Sequence, residues 1–209
     1  MNILVFGATG GSGRQIVNQA LDAGYVVKAI VRNPPALNIS HKNLFIIKGD
    51  VLKPESFIEA MQNTDVVFSA LGSRDRKPTT MFSEGIQNVL TAMRIHSVKR
   101  IICISASGIE TNPKLNFFFR LGTKVLQLIL KNTFKDMLLM EELLKRSNVN
   151  WTIVRPPKLT NGRMKNIYRY AINEWLANCT IISRADLALF MLQHANDSST
   201  YKSITEVAY

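Results

Sequence analysis

The chain has 209 residues, 46% of them apolar, with two cysteines and a formal charge of +11. That length fits one domain with a full-sized core, and two cysteines exclude a disulfide framework. No stretch is long and apolar enough to span a membrane.

Residues 2–13 hold the strongest local signal. A short apolar run, residues 3–6, breaks into Gly7-Ala8-Thr9-Gly10-Gly11-Ser12-Gly13, and Ile16, Val17, Ala20 and Leu21 follow at helical spacing. A strand, a glycine turn and a helix in that order build an anion site from backbone alone. The first N–H groups of the helix lack intrahelical partners, and its dipole favours negative charge. Gly7 permits the sharp turn, Gly10 the approach of a phosphate, and Gly13 the close packing of helix on strand. Arg14 stands where a P-loop needs Lys-Ser/Thr, so the segment is a candidate dinucleotide turn.

Strand and helix patterns then alternate. Residues 25–31 and 44–48 predict strands, 55–61 a short helix, and 65–70 a fourth strand. Residues 81–95 predict an amphipathic helix and 100–105 a fifth strand, with Cys103 buried inside it. One long helical region covers 117–147, where Lys124, Lys131 and Lys135 share one face that reads as solvated, with a phosphate or propionate contact as the alternative, and Leu121, Val125, Leu128 and Ile129 lie elsewhere. Phe117-Phe118-Phe119 reads as core packing, with a pocket wall, a lid contact or a dimer contact as alternatives. Residues 151–154 predict a sixth strand, stopped by Pro156-Pro157. Strand 180–182, helix 184–194 and strand 201–205 follow. The continuous apolar strands point to burial on both faces. The fold class is therefore α/β, a doubly wound parallel sheet in one domain over 1–209. Residues 159–179, polar and weakly periodic, are the candidate substrate-covering region.

In such sheets ligands gather at the carboxyl ends of the strands. Arg32 ends the second strand, where an NAD site places a carboxylate. A guanidinium pairs with a 2′-phosphate instead, so the inferred cofactor is NADPH; the alternative is a solvated strand-end arginine. Gly49-Asp50-Val51 ends the third strand. It is suited to contact the adenine, and equally to a turn capped by Asp50. Ala70-Leu71-Gly72 ends the fourth, small enough for a ribose to cross, with Arg74 beyond as a phosphate contact or an exposed side chain. Ser105 and Ala106 end the fifth, beside the expected nicotinamide. The Ser105 hydroxyl positions a substrate or relays a proton, or the serines there only shape a loop. Pro156 and Pro157 form a rigid wall with few donors. The three histidines are scattered, so no metal site is expected.

Together Gly7–Gly13, Val31-Arg-Asn33, Gly49-Asp-Val51, Ala70-Leu-Gly-Ser73, Pro78-Thr-Thr80, Ser83-Glu-Gly85 and Arg155-Pro-Pro157 resemble an atypical short-chain dehydrogenase/reductase. The resemblance falls within the NmrA-like NAD(P)-binding set and is greatest to the biliverdin-IXβ reductase/flavin reductase group. It extends to Ile182-Ser-Arg-Ala-Asp-Leu187 and Tyr201. It implies NADPH-dependent hydride transfer to flavins or linear tetrapyrroles. It also implies a functional serine at Ser105, the phosphate turn at Gly7–Gly13, a 2′-phosphate contact at Arg32 and the nicotinamide wall at Pro156 and Pro157. One departure from ordinary short-chain dehydrogenases matters. Their Tyr-x-x-x-Lys pair falls on Thr133 and Met137, which cannot supply an acidified phenol. Hydride transfer to a conjugated acceptor survives that loss, because orientation and water exclusion are the protein's main share. The rival readings are a non-catalytic NAD(P) sensor and a nucleotide-sugar epimerase or dehydratase.

The charge excess concentrates in residues 110–175, with twelve Lys/Arg against five Asp/Glu. It reads either as a solvated basic face or as attraction for an anionic, planar small-molecule acceptor. No nucleic-acid-binding signature accompanies it, so no specific nucleic acid partner is expected. Neither is a membrane partner, and the expected state is monomer or weak homodimer. The cysteine usage and the lack of a secretory pattern fit a reducing cytoplasm.

Overall fold

The computed structural model describes residues 1–72, 77–113, 115 and 117–209. Its strands are β1 (Asn2–Phe6), β2 (Val26–Val31), β3 (Leu44–Lys48), β4 (Val66–Ser69), β5 (Arg100–Ile104), β6 (Asn150–Arg155), β7 (Lys158–Thr160), β8 (Arg169–Ile172), β9 (Ile181–Ser183) and β10 (Ser203–Ala208). Its helices are α1 (Gly11–Asp22), α2 (Ser83–Ile95), α3 (Phe117–Ile129), α4 (Lys131–Arg146) and α5 (Arg184–Gln193).

Eight strands form one sheet in the order β3-β2-β1-β4-β5-β6-β10-β8. Its pairs are parallel except β10 with β8. The strand order reverses between β1 and β4, and crossover helices cover both faces. Ile16, Val17 and Ala20 of α1 join Leu187, Phe190 and Met191 of α5 on one side. Ile86, Val89 and Met93 of α2 join Met137, Met140 and Leu144 of α4 on the other. β1, β4 and β5 lie between the layers, which is why they read as unbroken apolar runs. The buried carboxylate of Asp136 on α4 accepts from the Phe82 and Ser83 N–H groups at 2.8 and 3.2 Å and so caps α2. Arg100, buried at the amino end of β5, donates to the His194 and Ala195 carbonyls at 2.9 and 2.8 Å and closes the end of α5.

Several expectations change. Residues 55–61 form two short 3-10 turns, Pro54–Ser56 and Ile58–Met61, rather than one helix. The long helix breaks at Leu130, whose φ of −104° and ψ of 18° leave the helical range. Lys124 therefore lies on a different helix from Lys131 and Lys135. Phe118 is exposed rather than core, and the side chains of Phe117 and Phe119 lie outside what the structure describes. β9 pairs with β7 in a separate two-stranded sheet instead of extending the main one. Within 159–179, β8 joins the main sheet antiparallel to β10, so this segment is partly the edge of the core layer. Its Lys165 and Asn166 N–H groups donate at 3.0 and 2.8 Å to Asp186, the buried carboxylate in the first turn of α5. Burial works against the Asp186 charge, but donors from Tyr209, Ser183, Asn166 and Lys165 hold its carboxyl below the usual range.

Candidate functional site

The parallel strands bring the carboxyl ends of β1 to β6 to one edge of the sheet, and the predicted residues that the structure describes lie along it. At its centre the backbone is folded tightly. Gly7 has φ +75°, and a Cβ there would lie 2.2 Å from the Ala70 carbonyl oxygen. A Cβ at Gly13 would lie 2.2 Å from the Gly7 oxygen, and one at Gly10 3.2 Å from it. Both the turn and its contact with the end of β4 thus require glycine. Ala8, Ser12 and Gly13 are buried, and Thr9 and Gly11 are exposed. Gly10 caps α1 without a side-chain bond, and the first turn holds no acidic residue. The opening N–H groups of α1 are left for an anion. This cradle fits a dinucleotide pyrophosphate. The side chain of Arg184, from the start of α5, crosses it, with its Cδ 2.6 Å from where a Gly11 Cβ would be. Its Nη1 is steadied by Asn161 Oδ1 at 2.7 Å.

Arg32 is exposed just past β2. Arg14 joins it from α1, its Nη2 donating to the Ala36 carbonyl at 2.8 Å. Among the described residues neither guanidinium pairs with a carboxylate. At the end of β3, Asp50 Oδ1 accepts from the Leu52 N–H at 3.1 Å, which makes it the cap of a turn. Val51 is buried against Gly85. Ala70 is buried, Leu71 half-buried and Gly72 exposed beside the glycine turn, while Arg74 lies outside the described residues.

The other end of the edge is built from side chains. Ser105 is buried, and its Oγ donates to Glu141 Oε1 on α4 at 2.6 Å. Glu141 is 0% exposed and is held by Arg155 at the end of β6, Nε to Oε1 at 3.0 Å and Nη2 to Oε2 at 2.5 Å. Arg155 Nη1 reaches Glu110 Oε2 at 2.7 Å. Burial works against the Arg155 charge, but Glu141 and Glu110 outweigh it and push its pKa upward. The Arg155 bond in turn holds the Glu110 carboxyl below its usual range. The Ser105 proton is therefore committed to an ion pair, and its oxygen is available as an acceptor. Ala106 and Pro156 stay zipped past the strands through Ser107 N–H to Pro156 O at 3.0 Å. Pro156 is buried and Pro157 half-buried.

Next to this network a cleft of about 70 Å³ is lined by Ser107, Gly108, Glu110, Asn112, Leu115, Thr123, Leu176, Cys179 and Glu206. Glu206, on β10 opposite Arg155, accepts from the Leu176 N–H at 2.7 Å. Burial raises its carboxyl and pushes the Cys179 thiol up to about 12, so that sulfur stays protonated. On α4, Met137 is buried in the core and Thr133 half-buried. No phenol or lysine occupies those helix positions.

Sequence reasoning missed Glu141, Glu110, Glu206 and Arg184 as site residues. Arg155 was visible only as part of a strand end. Among the described residues no three His, Cys, Asp or Glu side chains are grouped to hold a metal.

A family model described as NAD(P)H-binding matches residues 7–198. A photosystem II assembly factor of Cyanophora paradoxa is 31% identical over 159 residues, 74% of this chain and 44% of the relative. The chain spans 36% to 59% of the length of the first curated relatives it matches. Two solved structures share the fold. A short-chain dehydrogenase/reductase of Veillonella parvula in complex with NADP has TM-score 0.80 and 20% identity over 100% of this chain and 94% of that one. An anaerobilin reductase of Escherichia coli O157:H7 has TM-score 0.79 and 19% identity over 100% and 97%.

Proposed function

The chain belongs to the NAD(P)H-binding family, and from that premise we propose that it is an NADPH-dependent reductase of a flavin-like or linear tetrapyrrole acceptor. The observation that carries this reading is the pairing of a backbone cradle with an α4 that carries Thr133 and the buried Met137 where the catalytic tyrosine and lysine would stand. Such a site binds the cofactor but lacks the acid that ketone chemistry needs.

The α1 N-terminus and Gly7–Gly13 hold the pyrophosphate, Arg184 adds a cation beside it, and Arg32 with Arg14 takes the 2′-phosphate. Bound NADPH supplies the hydride. Pro156, Pro157 and Ala106 form the wall against which its ring lies, and they exclude water from one face. Ser105 presents its oxygen, with the proton held by Glu141, as an acceptor for an amide N–H. Arg155 holds Glu141 in place for that role through its Nε and Nη2. The overall charge of +11 draws an anionic, planar acceptor toward the protein. At the cleft, the Glu110 and Glu206 carboxylates accept from the ring N–H groups that flavins and pyrroles carry. The cleft's volume suits a ring edge rather than a whole ring system.

The test is NADPH oxidation with FMN, riboflavin and biliverdin offered in turn. Turnover with at least one is expected. Tight NADPH binding without turnover on any of them would overturn the reductase reading. It would favour a nucleotide-responsive binding protein, a role in keeping with the relative named as an assembly factor.

A further inference from the structure

The break at Leu130 frees α3 from the long helix expected there, and α3 turns an apolar side to solvent. Leu121, Val125, Leu128 and Ile129 are all exposed, Leu128 at 74%. Their spacing of i, i+4, i+7 and i+8 places them on one stripe. The opposite side of the helix faces the protein: Thr123 lines the cleft, and Gln127 Nε2 donates to the Gly108 carbonyl at 3.1 Å. The stripe therefore points directly away from the body. Arg120 and Lys124, both exposed, flank it on the same helix.

Charge selects the occupant. Residues 111–135 contain five Lys/Arg and no Asp/Glu, in a chain of net +11. A second copy placing the same face opposite itself would set Arg120 and Lys124 against their own counterparts. An anionic surface meets them with the opposite sign, and aliphatic side chains with basic neighbours suit the boundary between headgroups and acyl chains. The helix is too short to cross a bilayer, and among the described residues no helix is long and apolar enough to do so. We propose that α3 docks the protein onto anionic lipid surfaces, lying in the interface with Leu121, Val125, Leu128 and Ile129 inserted. The expectation of no membrane partner is thereby revised, independently of the reductase reading.

Co-sedimentation of the full chain with phosphatidylcholine vesicles, with and without phosphatidylglycerol, tests this. Wild type should pellet with the phosphatidylglycerol vesicles and far less with phosphatidylcholine alone. Leu121→Gln/Leu128→Gln, which keeps the charge, should lose at least about tenfold in affinity while melting like wild type. Arg120→Gln/Lys124→Gln should weaken binding several-fold and flatten its salt dependence. Three results would each overturn the proposal: no binding of wild type to phosphatidylglycerol vesicles, equal binding by the leucine variant, or a wild-type dimer in sedimentation velocity that the leucine variant disperses.

Discussion

The two ends of the ligand edge are built by different means. Around Gly7 to Gly13 the site is backbone: positive φ, missing Cβ atoms and the open N–H groups of a helix. Around Ser105 it is side chains: a serine just past β5, a glutamate from the loop beyond it, a glutamate from α4 and an arginine from β6. The backbone part carries no titratable group of its own, and among the described residues the one charged side chain that crosses it is Arg184. The side-chain site must satisfy each buried charge with a partner, and removing one strands the others. One end of the edge therefore depends on backbone shape and the other on paired side-chain charges.

Substitutions can break or sharpen that contrast. The largest effect is expected at Gly13→Val, whose Cβ would strike the Gly7 oxygen. NADPH affinity by calorimetry should fall more than about a hundredfold, and a near-normal affinity would refute a backbone-built cradle. Glu141→Gln should leave the Arg155 charge undercompensated in the interior. It should cost about 3 kcal/mol in urea unfolding, while NADPH affinity of the folded protein stays within about threefold. Arg32→Asp should shift the NADPH-to-NADH affinity ratio by about tenfold or more, equivalent to ~1.4 kcal/mol; an unchanged ratio would make Arg32 ordinary surface charge. The smallest effect concerns pH. Burial raises the Glu206 carboxyl above its ordinary 4.5. Its stabilising contribution is thus complete below 4.5 and is lost as pH rises through the folded value. Glu206→Gln should therefore gain less than about 1 kcal/mol over wild type at neutral pH. That gain should disappear in acid when melting is followed against pH.

The same contrast explains what could be read in advance. The Gly7 turn lies within seven consecutive residues, and each glycine has a local reason, so sequence alone locates it. The parallel sheet was legible because β1, β4 and β5 are buried on both faces and show it as unbroken apolar runs. Glu141 was not legible. It lies 36 residues from Ser105, on a helix face where acidic residues usually meet water, and only tertiary packing brings it under β5. Arg155 read as the residue before two prolines for the same reason. The break at Leu130 escaped notice because no proline or glycine marks it, and its periodicity continues across the gap. Residues 159–179 carried little pattern, since β8 is a short antiparallel edge strand half open to solvent.

The central claim is a backbone cradle with an arginine end that selects NADPH. Calorimetric titration of the wild-type chain with NADPH and NADH tests it most directly. NADPH should bind at a single site at least about tenfold more tightly than NADH. Equal affinities, or no binding of either nucleotide, would contradict it.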